Sequence, residues 1–63
     1  MNGKPKKLVG YRVEAKYSDG SQNARDFKPT SLGRQQSWEM YEKTYREIKN
    51  IEISWMEVFE DVI

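Results

Sequence analysis

The segment Ser37-Trp38-Glu39-Met40-Tyr41-Glu42 sets two large aromatics beside two carboxylates, and Tyr45 follows one turn later. On a helix, Trp38, Tyr41 and Tyr45 fall on one side, because residues three and four apart are neighbours there. Such a stripe is ordinarily core. Exposed, it makes an anchor for a protruding apolar side chain, and Glu39 and Glu42 around it suit a basic partner. Spaced carboxylates also imitate phosphates, which would let the patch occupy the cationic groove of an enzyme that handles DNA. Trp38, Glu39, Tyr41, Glu42 and Tyr45 are therefore the candidate partner-binding residues, and whether Trp38 is core or interface stays open at this point.

A second constellation is basic. Lys4, Lys6 and Lys7 crowd the start of the chain, and Arg12 and Lys16 follow among Tyr11, Tyr17 and Phe27. Cations interleaved with aromatics are the ingredients of a nucleic-acid platform. In a strand, however, the period of two puts Arg12 and Lys16 on the face opposite Tyr11 and Tyr17, so charge and stacking would not share a surface. This set is the alternative site.

Other chemistry is mostly excluded by what is missing. Among 63 residues there is no Cys and no His, so there is no thiol nucleophile, no imidazole base and no disulfide. Carboxylates alone rarely close a tetrahedral zinc site. The four glycines are scattered and form no phosphate-binding loop. A tuned carboxylate or lysine would need a deep, dry pocket, which a chain this short seldom encloses. The expectation is a binding protein rather than an enzyme, with no cofactor and no metal.

Charge is unevenly spread. Residues 1–34 hold eight Lys/Arg against three acids, a balance of +5, and residues 35–63 hold three against seven, a balance of −4. The net +1 hides this asymmetry, which predicts one basic and one acidic surface. No apolar run is long enough to cross a membrane, and no signal-peptide core follows the basic start. With the absence of Cys, this points to the cytoplasm.

The elements that must position these residues are legible in outline. Residues 1–7 carry Gly, Pro and three lysines and read as a mobile basic tail. From Leu8 to Tyr17 the chain alternates, with Val9, Tyr11, Val13, Ala15 and Tyr17 on one face and Arg12, Glu14 and Lys16 on the other. That is a half-buried strand. Ser18-Asp19-Gly20-Ser21 carries the Asp-Gly pair of a type I′ hairpin turn. A weaker edge strand runs from Gln22 to Lys28, where Arg25 and Asp26 deter edge pairing.

Pro29 stops that strand, and Thr30 or Ser31 can cap a helix from about Leu32 to Lys49, with Ser37 as an alternative cap. Trp38, Tyr41, Tyr45 and Ile48 draw its apolar stripe, and Glu39–Lys43 and Glu42–Arg46 are candidate i,i+4 ion pairs. Asn50 suits a left-handed exit. Ile51 to Phe59 reads as a last strand with apolar residues on both faces, hence central or covered on both sides.

The order β-β-α-β gives a small α+β domain over residues 8–63. Its sheet is three-stranded and antiparallel in the order 2-1-3, with one helix packed on one face. Two Trp and four Tyr exceed what so thin a sheet and one helix need. A homodimer or a sizeable partner patch is expected.

This arrangement resembles the short phage-encoded uracil-DNA glycosylase inhibitors, a family of dimeric DNA mimics. The likeness covers most of residues 11–63. It rests on Tyr11-x-Val13 in the first strand, Asp19-Gly20 at the turn, Lys28-x-x-Ser31-Leu32 entering the helix, the aromatic-Glu pair Trp38-Glu39, and the final apolar strand. The resemblance implies a helix aromatic presented to a cleft that grips an apolar side chain of the enzyme's DNA-binding loop, with carboxylates around it replacing phosphates. Trp38 matches that aromatic and Glu39 its acidic neighbour. Tyr41, Glu42 and Tyr45 follow from helical geometry. The chain departs from the family in its net charge, its lysine-rich start and about three extra residues around Arg34-Gln35-Gln36. Host uracil-DNA glycosylase is the partner this resemblance implies.

Overall fold

A computed structural model describes residues 5–62. Its elements are β1 (Lys6–Lys16), β2 (Gln22–Phe27), α1 (Ser31–Glu47) and β3 (Glu52–Asp61). The strands form one antiparallel sheet in the order β2-β1-β3, with the helix against one face, so the expected small α+β architecture is the one observed.

β1 is the central strand because its alternation buries one face. Tyr11, Val13 and Ala15 are the buried apolar residues, and Val13 keeps only 1% of its surface exposed. They lie beneath α1, while Arg12 and Glu14 point to the opposite face. β1 begins at Lys6, earlier than the alternation suggested, and Lys6 and Lys7 therefore belong to the strand rather than to a tail. Pro5 is engaged too, its carbonyl accepting the Val62 N–H at 3.1 Å. Lys4 lies outside the described residues.

The alternation of β1 breaks at Val9. Leu8 pairs with Phe59 and Gly10 with Val58, so Val9 is the extra residue of a β-bulge and does not share the face of Tyr11. Gly10 is required there: a Cβ would press on the Phe27 carbonyl oxygen at the end of β2.

The hairpin differs from the expected type I′ turn. That turn needs positive φ at both central residues, whereas Gly20 (φ 91°) is the one residue of the Ser18–Gly20 loop with it. Gly20 N–H reaches the Tyr17 carbonyl at 3.0 Å and Tyr17 N–H the Ser21 carbonyl at 2.8 Å, which closes a three-residue loop. The Asp19 carboxylate, instead of entering left-handed space, accepts from the N–H (2.9 Å) and hydroxyl (2.6 Å) of Ser21.

Thr30 caps the helix, its Oγ1 accepting the Gly33 N–H at 3.0 Å. Ser37 is not a cap; it lies mid-helix and fully buried. The helix stops at Glu47, with Ile48 extended and donating to the Thr44 carbonyl, and Asn50 (φ 59°) takes the left-handed conformation in the turn to β3. β3 is an edge strand, neither central nor covered on both sides. Its Ile53 and Trp55 lie beneath the helix and its Met56 and Val58 on the uncovered face, both half-buried. Among the described residues no helix is long and apolar enough to cross a membrane.

Candidate functional site

Gly33 and Ser37 are the two buried residues of α1, and Met40, Tyr41 and Thr44 are half-buried. Gly33 approaches the chain so closely that a Cβ would collide with the Lys28 carbonyl oxygen. One turn on, Ser37 is wholly buried, its hydroxyl donating to the Arg34 carbonyl at 2.8 Å. The same oxygen accepts the indole N–H of Trp55 at 2.8 Å, which pins that ring across the helix–sheet junction. No buried side-chain polar atom among the described residues is left without a partner.

This close approach displaces the aromatic stripe from the core. Successive helical residues lie about 100° apart, so Trp38, next to Ser37, is turned toward the flank. Trp38 keeps 44% of its surface exposed and Tyr45 66%. The rings nevertheless form one continuous run from core to solvent. Tyr11 stacks on Trp55 (5.6 Å between centroids), Trp55 meets the edge of Trp38 (5.4 Å), Trp38 stacks on Tyr41 (5.1 Å) and Tyr41 on Tyr45 (6.2 Å). Each such pair adds about 0.5–1.5 kcal/mol beyond area burial, enough to hold the outer rings in place with one side free.

Beside Trp38 and Trp55 lies an open cleft of about 580 Å³, lined by these two rings and by Ser31, Arg34 and Gln35. The Arg34 guanidinium sits 5.6 Å from the Trp55 ring centroid, in cation–π geometry. Gln35 donates to Glu39 at 3.3 Å, which sets the Glu39 carboxylate at the rim. Glu39 is thus engaged with Gln35 rather than with Lys43. Glu42 does lie within 3.9 Å of Arg46, so its charge is partly offset.

Of the five residues named from the sequence, Trp38, Tyr41 and Tyr45 form one surface, with Glu39 at its rim and Glu42 one helical turn from Trp38, beside Arg46. Sequence reasoning missed Arg34, Gln35 and above all Trp55. Trp55 carried a signal, since its position beside Ile53 on one face of the last strand aimed it at the helix.

The basic set is not brought together. Lys6, Lys7, Arg12 and Lys16 are strung along β1 over about 30 Å at strand spacing. Lys6 is opposite Asp61 in register, Lys7 opposite Glu60 and Lys16 opposite Glu52. Arg12 binds Asp26 through Nε at 2.8 Å and lies 3.5 Å from Glu14. That contact raises the Arg12 pKa and holds the Asp26 carboxyl below its ordinary value. The charge asymmetry of the sequence is therefore largely folded against itself, because the basic first strand pairs with the acidic last one. The separate basic and acidic surfaces expected from the two halves do not form along this pair.

Among the described residues no group of three or more acidic side chains is placed to hold a metal ion. No family model matches the chain, and it has no match among curated proteins or solved structures.

Proposed function

We propose that this chain is a non-catalytic inhibitor that works by protein–protein contact. It would seat an apolar side chain of a nucleic-acid-processing enzyme in the cleft beside Trp38 and Trp55. The observation that supports this is the pair of rings itself: Trp38 is large, half-exposed and held from behind, which is the profile of a hot-spot anchor. Glu39 at the rim adds the negative charge that favours approach to a cationic groove. The resemblance noted above makes uracil-DNA glycosylase the enzyme to test, with carboxylates standing in for phosphates and the host cytoplasm as the place of action.

The same reading takes the protein as a homodimer, with the uncovered sheet face around Met56 and Val58 as the surface a second copy covers. Sedimentation equilibrium measures this directly.

The test is uracil excision by a bacterial uracil-DNA glycosylase titrated with the protein, DNA substrate being in large excess so that mere DNA binding cannot hide it. Loss of activity near one dimer per enzyme is the expected result. Full activity at about tenfold excess rejects the glycosylase as the target. Direct binding of the protein to DNA in the same buffer favours the alternative, a nucleic-acid-binding module using Lys4, Lys6, Lys7, Arg12 and Lys16.

A further inference from the structure

The outer edge of β3 carries a second consequence. β3 runs ten residues, Glu52–Asp61, hydrogen-bonded on one side to β1 and on the other to no described segment. Edges of this length are ordinarily guarded by Lys, Pro or a bulge. β3 has no Lys and no Pro, and the sheet's one register shift lies in β1. Its only charges are Glu52, Glu57, Glu60 and Asp61.

Those carboxylates discriminate among occupants. A second β3 laid antiparallel in full overlap would set Glu52 against Asp61 at both ends and would add no cation to the edge, and like charges facing each other across strands are destabilising. A basic strand is accepted, and β1 itself is the precedent, with Lys6, Lys7 and Lys16 opposite Asp61, Glu60 and Glu52. The outer edge offers the same acids to a second strand of the same kind. The cleft strengthens the match, because its lining comes from α1 and from Trp55 of β3 alone, with nothing from β1 or β2. Trp55 is thus the one sheet residue in its lining, and the side chain of an added strand opposite Trp55 would share that residue's face.

We infer that the outer edge of β3 is a docking site for an extended cationic segment of a protein partner, which adds as a fourth antiparallel or parallel strand. Lys or Arg would face Glu52 and Glu60 on the uncovered face, and one apolar or aromatic side chain on the helix face would fill the Trp38–Trp55 cleft. This rests on the reading of that cleft as a protein-binding site and gives its partner a shape and a charge. Backbone hydrogen bonds supply the affinity in such strand addition, and alternate side chains supply the selection.

The test uses the whole chain, isotopically labelled, and a capped ten-residue peptide alternating Lys with Val around one central Phe. Amide shifts confined to Glu52–Asp61 and to the indoles of Trp38 and Trp55 are expected, with hydrogen exchange at alternate β3 amides slowed about tenfold or more. The same peptide with Glu in place of Lys should give no shifts. The double variant Glu52→Lys, Glu60→Lys should weaken binding by about three- to tenfold, in line with exposed charge pairs, and it removes no buried group. Shifts on β2 instead of β3, equal binding of the Glu peptide, or no shifts at millimolar peptide each overturn the inference. So does a homodimer whose formation protects the β3 amides. Glycosylase inhibition without peptide docking removes only this inference, whereas docking without inhibition removes only the glycosylase.

Discussion

Helix α1 meets the rest of the protein along two flanks of opposite character. One is made of Gly33 and Ser37, nearly devoid of apolar surface, and it is the buried one. The other carries Trp38, Tyr41 and Tyr45, most of the helix's hydrophobic area, and it faces partly outward. The difference teaches that proximity decides burial here. Where α1 presses on the Lys28 carbonyl and on Trp55 it carries small residues, Gly33 and Ser37, and the large rings lie at the rim, where they lean on Trp55 and keep a free face. Under the proposed function, folding and binding are thereby divided between neighbouring residues.

The division is broken most severely at Gly33. Gly33→Ala should gain about 1 kcal/mol of helix propensity. It places a methyl group on the Lys28 carbonyl oxygen, a backbone atom that cannot turn aside. The clash, about 3 kcal/mol, wins and consumes most of what so small a core supplies. Urea unfolding should show a net loss of about 2 kcal/mol, with the midpoint well below that of the wild type.

Ser37→Ala comes next. It removes the acceptor of the part-buried Trp55 indole N–H, at a cost of about 1–3 kcal/mol for a donor left unsatisfied. The melting temperature should fall while near-ultraviolet circular dichroism reports a looser Trp55. Trp38→Ala, one residue on, should lose about 1 kcal/mol of ring contacts yet abolish inhibition, a contrast that sharpens the comparison. Tyr45→Ala, at the exposed end of the run, loses a single stacked pair and should cost about 0.5 kcal/mol, the low end of the range for such pairs.

The smallest effect belongs to the uncovered sheet face. The hydrogen bond and charge of Arg12 hold the Asp26 carboxyl below its ordinary value near 3.8. The stability from this pair is complete above that value and is lost as pH falls through the lowered one. Asp19, lowered by its hydrogen bonds to Ser21, acts in the same direction. Both are exposed, so the slope is shallow, and melting temperatures followed from pH 6 downward in Asp26→Asn should show it flattened further.

The sheet, its order and the helix were legible because alternation in β1 and helical spacing after Pro29 are strong periodic signals. The bulge at Val9 was not, since one inserted residue leaves local alternation intact and shows only in the register with β3. Position 19 misled because Asp-Gly favours a type I′ turn, while the Ser21 hydrogen bonds to the Asp19 carboxylate accompany a different loop. The site was half legible. Trp38, Tyr41 and Tyr45 were placed on one stripe, but an apolar stripe points to a core, and the true contact residues, Gly33 and Ser37, carry no hydrophobic signal. Charge was the least legible, because strand pairing cancels an asymmetry that is real along the chain.

The most direct measurement compares the wild-type protein with Trp38→Ala in the uracil-excision assay, with far-ultraviolet circular dichroism recorded on the same samples. The expected result is inhibition by the wild type near one dimer per enzyme, none by the variant at about tenfold excess, and superimposable spectra. An unfolded Trp38→Ala, or a folded one that inhibits as well as the wild type, would contradict the assignment of the large flank of α1 to binding.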